Sequence, residues 1–362
     1  MTRTPGTSLK IARMRLINQH IEGSRFTRPG EVVSWLGAVQ AQDYSGAVWS
    51  IGLRLPGSTT EGIEKAIADK TLIRTWVMRG TLHIVRAADI RWMLSLISPR
   101  IIAGNRRRYQ ELGLDEETLG RSNRVIAEVL HGGMQLNRTE LLAILEKNGI
   151  PAFGQRGPYM LQRASLDGLI CQGIMHRNNP TFIALDESVP EGRIMGREKA
   201  LEELAFRYFS SHGPATLQDF AGWSGLTVAE ARAGLDAIMS QLTQESVEGR
   251  IFWQFPSDLE EEPLSSDVYL LPGFDEYVLG YHDRSDVLDV LKTHNLVLKN
   301  GMLTPTIIIG GKVAGIWKRT FWKGTVRITS NLFSPMTAGE HEAYAAAAHR
   351  YGKFLRMPIF LQ

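Results

Sequence analysis

Gln40-Ala41-Gln42 places two primary amides one residue apart. Each amide offers a donor and an acceptor without ionising, so the pair can hold a water or the edge of a base but cannot act as a strong acid or base. Val32, Val33, Leu36 and Val39 recur at helical spacing just before the pair, so a helix that buries this stripe leads into it. In a helix, residues i and i+2 point about 200° apart, whereas in an extended segment they share a side. If both amides address one target, the chain must leave the helix at about Gln40. The other reading of the same spacing is a helix end whose amides satisfy stray backbone groups.

The elements that position this pair belong to a globular chain. At 362 residues it exceeds one ordinary core, and two or three domains are expected. A hydrophobic content of 43% with 22% charged residues excludes a disordered chain. The single cysteine, Cys171, cannot form an internal disulfide, which fits a reducing cytosol; it reads as a small core residue rather than a nucleophile. Met1 to Ile11 contains no apolar signal core, and no run approaches the ~20 apolar residues that span a bilayer, so the protein is expected in the cytoplasm, away from membranes. The histidines are scattered, with no cysteine partners at ligand spacing, and no glycine fingerprint opens a helix after a strand. No metal and no cofactor are expected.

Charge is unevenly distributed. From Thr71 to Gln110 the only acid is Asp89, against Arg74, Arg79, Arg86, Arg91, Arg100 and Arg106-Arg107-Arg108. From Val290 to Gly339 the basic residues Lys292, Lys299, Lys312, Lys318, Arg319, Lys323 and Arg327 are interleaved with Trp317, Phe321 and Trp322. The acids gather elsewhere, as at Asp258 and Glu260-Glu261-Glu262. Two basic segments suit a surface that tracks phosphates; a solvated basic face with no partner is the alternative.

One pattern recurs three times: helices with cap signals, then a short hairpin. In the first third, helices are predicted over Ser8–Ile21, Gly30–Val39 and Thr60–Asp69, followed by strands Leu72–Met78 and Thr81–Val85 joined at Arg79-Gly80. In the second, Ser122–Leu130 precedes Asn137 and Glu140, a capping box, and a helix over Gly157–Gln172 leads to a strand pair around Ile174–Ile183. In the third, Ala200, Leu201, Leu204, Ala205, Tyr208 and Phe209 form an apolar stripe. A helix at Thr216–Trp223 and a capping box at Thr227 to Glu230 follow, and Glu248-Gly249 turns a hairpin between Gln244 and Phe255. Helices closed by a two-stranded wing are the winged-helix variant of the helix-turn-helix. Beyond Ser265 the chain is strand-rich: Asp267–Leu271, Leu303–Gly310, Lys312–Trp317 and Thr325–Thr329, with Gly310-Gly311 as a tight turn and a closing helix over Ala338–Tyr351. The fold class is therefore α+β: three tandem winged-helix domains (1–110, 111–190, 191–264) and a C-terminal β-barrel-like domain (265–362).

At this point the residues resemble a known family. Arg79-Gly80-Thr81-Leu82-His83, the stretch Gly213 to Leu226, Leu271-Pro272-Gly273-Phe274-Asp275-Glu276-Tyr277, Gly280-Tyr281-His282-Asp283-Arg284 and Gly311 to Trp317 are similar to the AlkZ/YcaQ family of bacterial DNA glycosylases. The similarity runs over nearly the whole chain. It implies three winged helices stacked in a C-shape and finished by a β-barrel-like domain, acting on double-stranded DNA that contains alkylated purines. It also implies that a Gln-x-Gln or Gln-x-Asp signature is catalytic, which here falls on Gln40 and Gln42. The Gln-x-Gln members resemble enzymes that remove bulky N7-alkylpurine adducts, some of which unhook interstrand crosslinks.

Cleaving an N-glycosidic bond builds positive charge on the sugar and needs water at the anomeric carbon. A carboxylate is the usual helper. A glutamine can only hold and steady the water, which suffices when the leaving group is already good. An N7-alkylated purine carries a fixed positive charge and departs as a neutral base, so the pair restricts the substrate to cationic adducts and excludes uracil. Asp43 follows directly, either as an additional carboxylate or as the N-cap of a helix over Ser45–Leu53, and cap preference favours the second. Thr81 and His83 sit two apart on the first wing and so face one side, toward a groove near the lesion; a structural histidine is the alternative. The first wing also carries Arg79. Gln155, Arg156 and Tyr159 open a helix whose N-terminus suits a phosphate, or are its solvated first turn. Tyr281, Asp283 and Arg284 either meet DNA or make a buried salt bridge. The hairpin from Trp317 to Thr325, with Lys318, Arg319 and Lys323, either lies along a duplex groove or is a packed strand with its lysines outward. The chain is expected to act as a monomer. The rivals from other classes are a winged-helix transcription regulator that binds a palindrome and a catalytically silent damage-binding protein.

Overall fold

The computed structural model describes residues 5–176, 179–189, 192–256, 267–289 and 303–362. The acidic cluster at Asp258 and Glu260-Glu261-Glu262, and Lys292 and Lys299 of the second basic segment, lie outside them. The chain forms two compact units, Met1–Ile63 with Leu201–Gln362, and Glu64–Ala200. It mixes helices and sheets throughout, and no described helix is long and apolar enough to cross a membrane.

In the first unit, helices Pro5–Asn18, Pro29–Leu36 and Tyr44–Leu53 precede the later helices Leu217–Ser224 and Val228–Ile238 and the hairpin Thr243–Val247/Arg250–Gln254. The expected capping box at Thr227 is formed, and Thr216 makes a second one with Asp219. Each gives a helix N-terminus a partner for an otherwise orphaned N–H. The hairpin turns at Glu248 (φ 50°) and Gly249 (φ 77°), the paired left-handed residues that match the right-handed twist of its strands. The predicted stripe on helix Arg197–His212 is fully buried. Tyr208 and Phe209 on it meet Phe220 with ring centroids 5.1 and 5.6 Å away.

The C-terminal strands of this unit form a curled sheet, half of a barrel. Its order is Ile359–Leu361, Thr325–Leu332, Lys312–Trp322, Thr306–Ile309, Val268–Leu271, and a bulge at Ile307/Ile308 breaks its register. Such a bulge increases local twist and bends the strand. The terminal strand Ile359–Leu361, which the sequence did not announce, pairs in parallel with Thr325–Leu332. Helix Ala338–Leu355 packs against helix Tyr44–Leu53 through aromatic rings: Trp49 lies 4.8 Å from Tyr351 and 5.0 Å from Phe354. The two helices approach so closely at Gly52 that a Cβ there would stand 2.2 Å from the Phe354 ring. The first unit thus joins the helix following the glutamine pair to the C-terminal sheet.

In the second unit, the hairpins Leu72–Trp76/Leu82–Arg86 and Ile170–His176/Asn179–Ala184 do not stand alone. They pair edge to edge through Arg74 and Gln172, and Leu136–Asn137 adds to the far side. One shared sheet removes two exposed edges that separate wings would leave. The capping box of Asn137 and Glu140 opens helix Arg138–Lys147 as expected. The helix predicted over Gly157–Gln172 is shorter, Arg156–Leu166, because Gly168 turns left-handed (φ 76°) and Ile170 starts a strand. The short apolar run Leu169-Ile170-Cys171 fits either period, which is why spacing misassigned it. Cys171 is buried in that strand, and burial pushes its thiol up to about 12, as suits an inert core residue.

Candidate active site

The chain leaves its helix at Gly37 (φ 80°), earlier than the spacing predicted, and Val39–Gln40 is extended. Gly37 is needed for that φ and for room, since a Cβ there would lie 3.2 Å from the Trp223 ring. Gln40 is 6% exposed, while Gln42, two residues on, is exposed. The Gln42 N–H donates to Gln40 Oε1 at 2.9 Å. One lone pair of the Gln40 amide therefore satisfies a backbone N–H of its own turn, as the helix-end reading of the pair expects. Its second lone pair and its NH₂ are still available for a water or a base edge.

Asp43 occupies the N-cap position of helix Tyr44–Leu53, but its side chain makes no capping bond, which corrects the expected role. Oδ1 instead accepts the Ser45 hydroxyl at 3.1 Å, and Oδ2 lies 3.9 Å from the Arg319 guanidinium. The carboxylate also lies over the first helical turn, where a Cβ at Gly46 would come within 2.6 Å of it. Arg319 itself was expected to face DNA. It is half-buried and donates to Ser45 Oγ at 2.6 Å and to the Tyr351 hydroxyl at 2.7 Å. It links the C-terminal sheet and helix to the segment that follows the pair.

Behind Gln40 lies a cycle of buried polar groups. The Gln40 N–H donates to Glu276 Oε1 at 3.1 Å, and the Trp223 indole N–H donates to Glu276 Oε2 at 2.9 Å. His212 Nε2 stands 3.6 Å from the same oxygen. The Tyr281 hydroxyl donates to the His212 carbonyl at 2.9 Å and accepts from Gln19 at 3.1 Å. Arg54 donates to Gln19 Oε1 at 2.8 Å and grips Asp275 through two bonds of 2.8 and 2.9 Å. Asp275 adjoins Glu276, which closes the cycle. All of these side chains other than Gln40 are essentially inaccessible to solvent. A buried charge is costly unless partnered: Arg54 and Asp275 form an ion pair at 2.8 Å, and each Glu276 oxygen accepts a hydrogen bond. Burial holds the His212 imidazole below its ordinary value, against the opposing pull of Glu276, so it is neutral near pH 7.

The remaining candidates divide. In the hairpin Leu72–Trp76/Leu82–Arg86, Arg79 sits left-handed (φ 54°) in the turn, and Thr81 Oγ1 donates to the Met78 carbonyl at 3.2 Å. His83 is only 1% exposed; Nδ1 faces the Thr81 carbonyl at 3.0 Å and Nε2 faces Arg79 at 3.5 Å. This is the structural histidine, part of the turn rather than a group reaching out of it. Arg156 gives its guanidinium to the carbonyls of Pro151, Leu112 and Gly113, and Gln155 accepts from Arg108. Tyr159 packs edge-on against Tyr109, with centroids 6.1 Å apart. These three build their loop before they meet any ligand.

The salt bridge considered for Asp283 and Arg284 does not join them. Asp283 pairs with Arg250 of the hairpin at 2.7 Å. Arg284 has no partner for Nε among the described residues, and desolvation lowers its affinity for its proton. Lys318 and Lys323 are exposed. On the same hairpin Trp317 is a core residue whose indole donates to the Leu271 carbonyl, whereas Phe321 and Trp322 are 56% and 59% exposed. Trp317 and Phe321 share a face of the strand, so position along the hairpin explains the split: burial alternates as far as Trp317, where the hairpin is packed, and beyond it the tip is open, aromatic and basic. Among the described residues no three His, Cys, Asp or Glu side chains cluster as a metal site.

Sequence reasoning missed Glu276, His212, Trp223, Arg54 and Gln19 as neighbours of the pair. A signal existed for some of them: an acidic pair, Asp275-Glu276, in an apolar stretch is costly unless it is partnered. Gln19 and Arg54 carried none, because nothing local distinguishes a buried glutamine or arginine from a solvated one.

With this geometry in hand, comparison with known proteins is informative. A family model described as DNA glycosylase AlkZ-like matches residues 33–354. A protein of Streptomyces sahachiroi named interstrand DNA cross-link repair glycosylase is 26% identical over 322 residues, covering 84% of this chain and 85% of its own. The solved structure of Streptomyces sahachiroi DNA glycosylase AlkZ superposes with a TM-score of 0.81 at 23% identity, covering 98% of this chain and 99% of that one. At that identity the likeness speaks for the fold.

Proposed function

We infer that this chain, which belongs to the AlkZ-like DNA glycosylase family, excises cationic N7-alkylpurine adducts from duplex DNA with Gln40 and Gln42 positioning the water. The observation that carries the reading is the local build of the pair. Gln40 is held from behind through its peptide, Gln42 is exposed beside it, and the two are joined by a 2.9 Å bond. A water held by the free acceptor of Gln40 and the amide of Gln42 attacks the anomeric carbon as the bond to N9 breaks. The bonding electrons pass into the purine and cancel its positive charge, and the water's proton leaves to solvent. No strong base is required, because the substrate supplies the leaving group.

The winged-helix reading of 1–110, 111–190 and 191–264, with 265–362 as the β-rich domain, is part of this proposal; the three antiparallel hairpins support it. Arg284, Lys318 and Lys323 are the proposed phosphate contacts, Arg284 because it has a desolvated charge to satisfy. Crosslink unhooking is proposed for this chain as an extension of the same chemistry; the name of the Streptomyces sahachiroi relative speaks of interstrand cross-link repair. A bulky adduct suits action on the lesion in place rather than extrusion into a tight pocket.

The test is excision on an N7-alkylguanine duplex, with alkali converting abasic sites into strand breaks. Gln40→Ala and Gln42→Ala are expected to slow single-turnover excision by about 10²-fold each. Full activity in both, together with an inactive Asp43→Asn, transfers the role to Asp43. Tight sequence-specific binding without abasic product supports a regulator instead.

A further inference from the structure

An extended dipeptide followed by a turn does not hold two amides still by itself, so something must fix Gln40. We infer that Glu276 is the positioning residue for the amide pair: one of its oxygens sets the Gln40 peptide while the other is held by Trp223. This rests on the reading of Gln40 and Gln42 as the water-positioning groups.

The argument is one of acceptors. Glu276 receives the Gln40 N–H on Oε1 and the Trp223 indole N–H on Oε2, at 3.1 and 2.9 Å. Only a carboxylate presents acceptors on both oxygens; a glutamine presents one oxygen and one NH₂. The third neighbour, His212, adds no competing proton. The Ser211 hydroxyl donates its single hydrogen to the Arg207 carbonyl at 2.7 Å. The contact of 2.7 Å between Ser211 Oγ and His212 Nδ1 therefore has Nδ1–H as its donor. In a neutral ring that leaves Nε2 bare, and Nε2 has no hydrogen-bond partner among the described residues. Arg54 and Arg15, the nearby cations that act on His212, are occupied elsewhere. Arg54 is bonded to Asp275, and Arg15 lies 3.6 Å from Asp286 with its guanidinium over the Tyr281 ring. Asp219 and Asp286 face Arg15 rather than Glu276.

The register of Gln40 thus depends on two donors meeting one carboxylate. Glu276→Gln makes one donor face another, at either Gln40 or Trp223. Trp223→Phe removes the rival donor. In the double variant, the amide oxygen introduced at position 276 accepts the Gln40 N–H, and the NH₂ beside it finds the bare His212 Nε2. A merely structural glutamate does not predict this rescue.

The experiment measures single-turnover excision of N7-alkylguanine, duplex affinity and melting temperature for wild type, Glu276→Gln, Trp223→Phe, Glu276→Gln/Trp223→Phe and Gln40→Ala. The expected result is a loss of about 10- to 100-fold in rate for Glu276→Gln at unchanged duplex affinity, as for small misplacements of a positioning group. The double variant is expected to return to within about threefold of Trp223→Phe, a residual difference below 1 kcal/mol. If the single variant melts below the assay temperature, the double variant alone carries the test. A wild-type rate in Glu276→Gln, a parallel loss of affinity and rate, or a folded double variant that stays slow overturns the inference. An unimpaired Gln40→Ala overturns the underlying reading of the pair instead.

Discussion

Asp275→Asn tests the clamp beneath the site most directly. The Asp275 carboxylate is buried and accepts four bonds: two from Arg54 at 2.8 and 2.9 Å, the Ser50 hydroxyl at 2.7 Å and the Tyr277 N–H at 2.9 Å. Asparagine keeps one oxygen, enough for the Tyr277 N–H and one arm of Arg54. Its NH₂ then faces the second arm, and Arg54 is left buried without its counter-charge. Removing one partner of a buried pair costs about 3–5 kcal/mol, far more than the pair's net worth against an apolar replacement. For a unit of this size each kcal/mol lowers the melting temperature by roughly 2–4 °C, so a fall of about 6–20 °C is expected. Thermal and urea unfolding measure it, with Arg54→Met/Asp275→Asn as the control that removes the stranded cation. The double variant should be less destabilised than the sum of the two singles, because they share one interaction. A shift below about 1 kcal/mol in Asp275→Asn, or strict additivity in the double, refutes the claim that a buried ion pair anchors the helix following Gln42.

Gly52→Ala should cost about 1–3 kcal/mol in urea unfolding despite alanine's better helix propensity, because its Cβ would stand 2.2 Å from Phe354; Phe354→Leu should recover part of the loss. Arg284→Ala should weaken duplex binding on all sequences and reduce the slope of log K against log salt by about 1, read from binding at several salt concentrations. The excision rate should be nearly flat between about pH 6 and 8, because neither amide of the pair ionises there. Stability should behave differently. His212 has a folded value depressed by burial, so below about pH 6.5 the unfolded chain binds more protons. The contribution is therefore intact above that pH and is lost as pH falls toward the folded value, which urea unfolding at pH 7.5 and 5.5 detects.

Local signals carried far in this chain. The capping boxes at Asn137 and Thr227, the turn at Glu248-Gly249 and the stripe on helix Arg197–His212 follow from contacts within a few residues, so spacing alone located them. Spacing also put Gln40 and Gln42 just past the helix, and residue type said what two amides can and cannot do. Long-range partners were beyond its reach. Asp43 has the residue type of a cap, yet its carboxylate turns to Ser45 and lies near Arg319, which is distant in sequence. His83 has the residue type of a surface group on its hairpin but is buried with both ring nitrogens engaged. The Gln40 peptide finds its acceptor 236 residues away on Glu276. Which buried polar group meets which is set by the packing of whole elements. A desolvated donor must find an acceptor wherever the fold brings one, and no property of the donor's own neighbours in the chain names it.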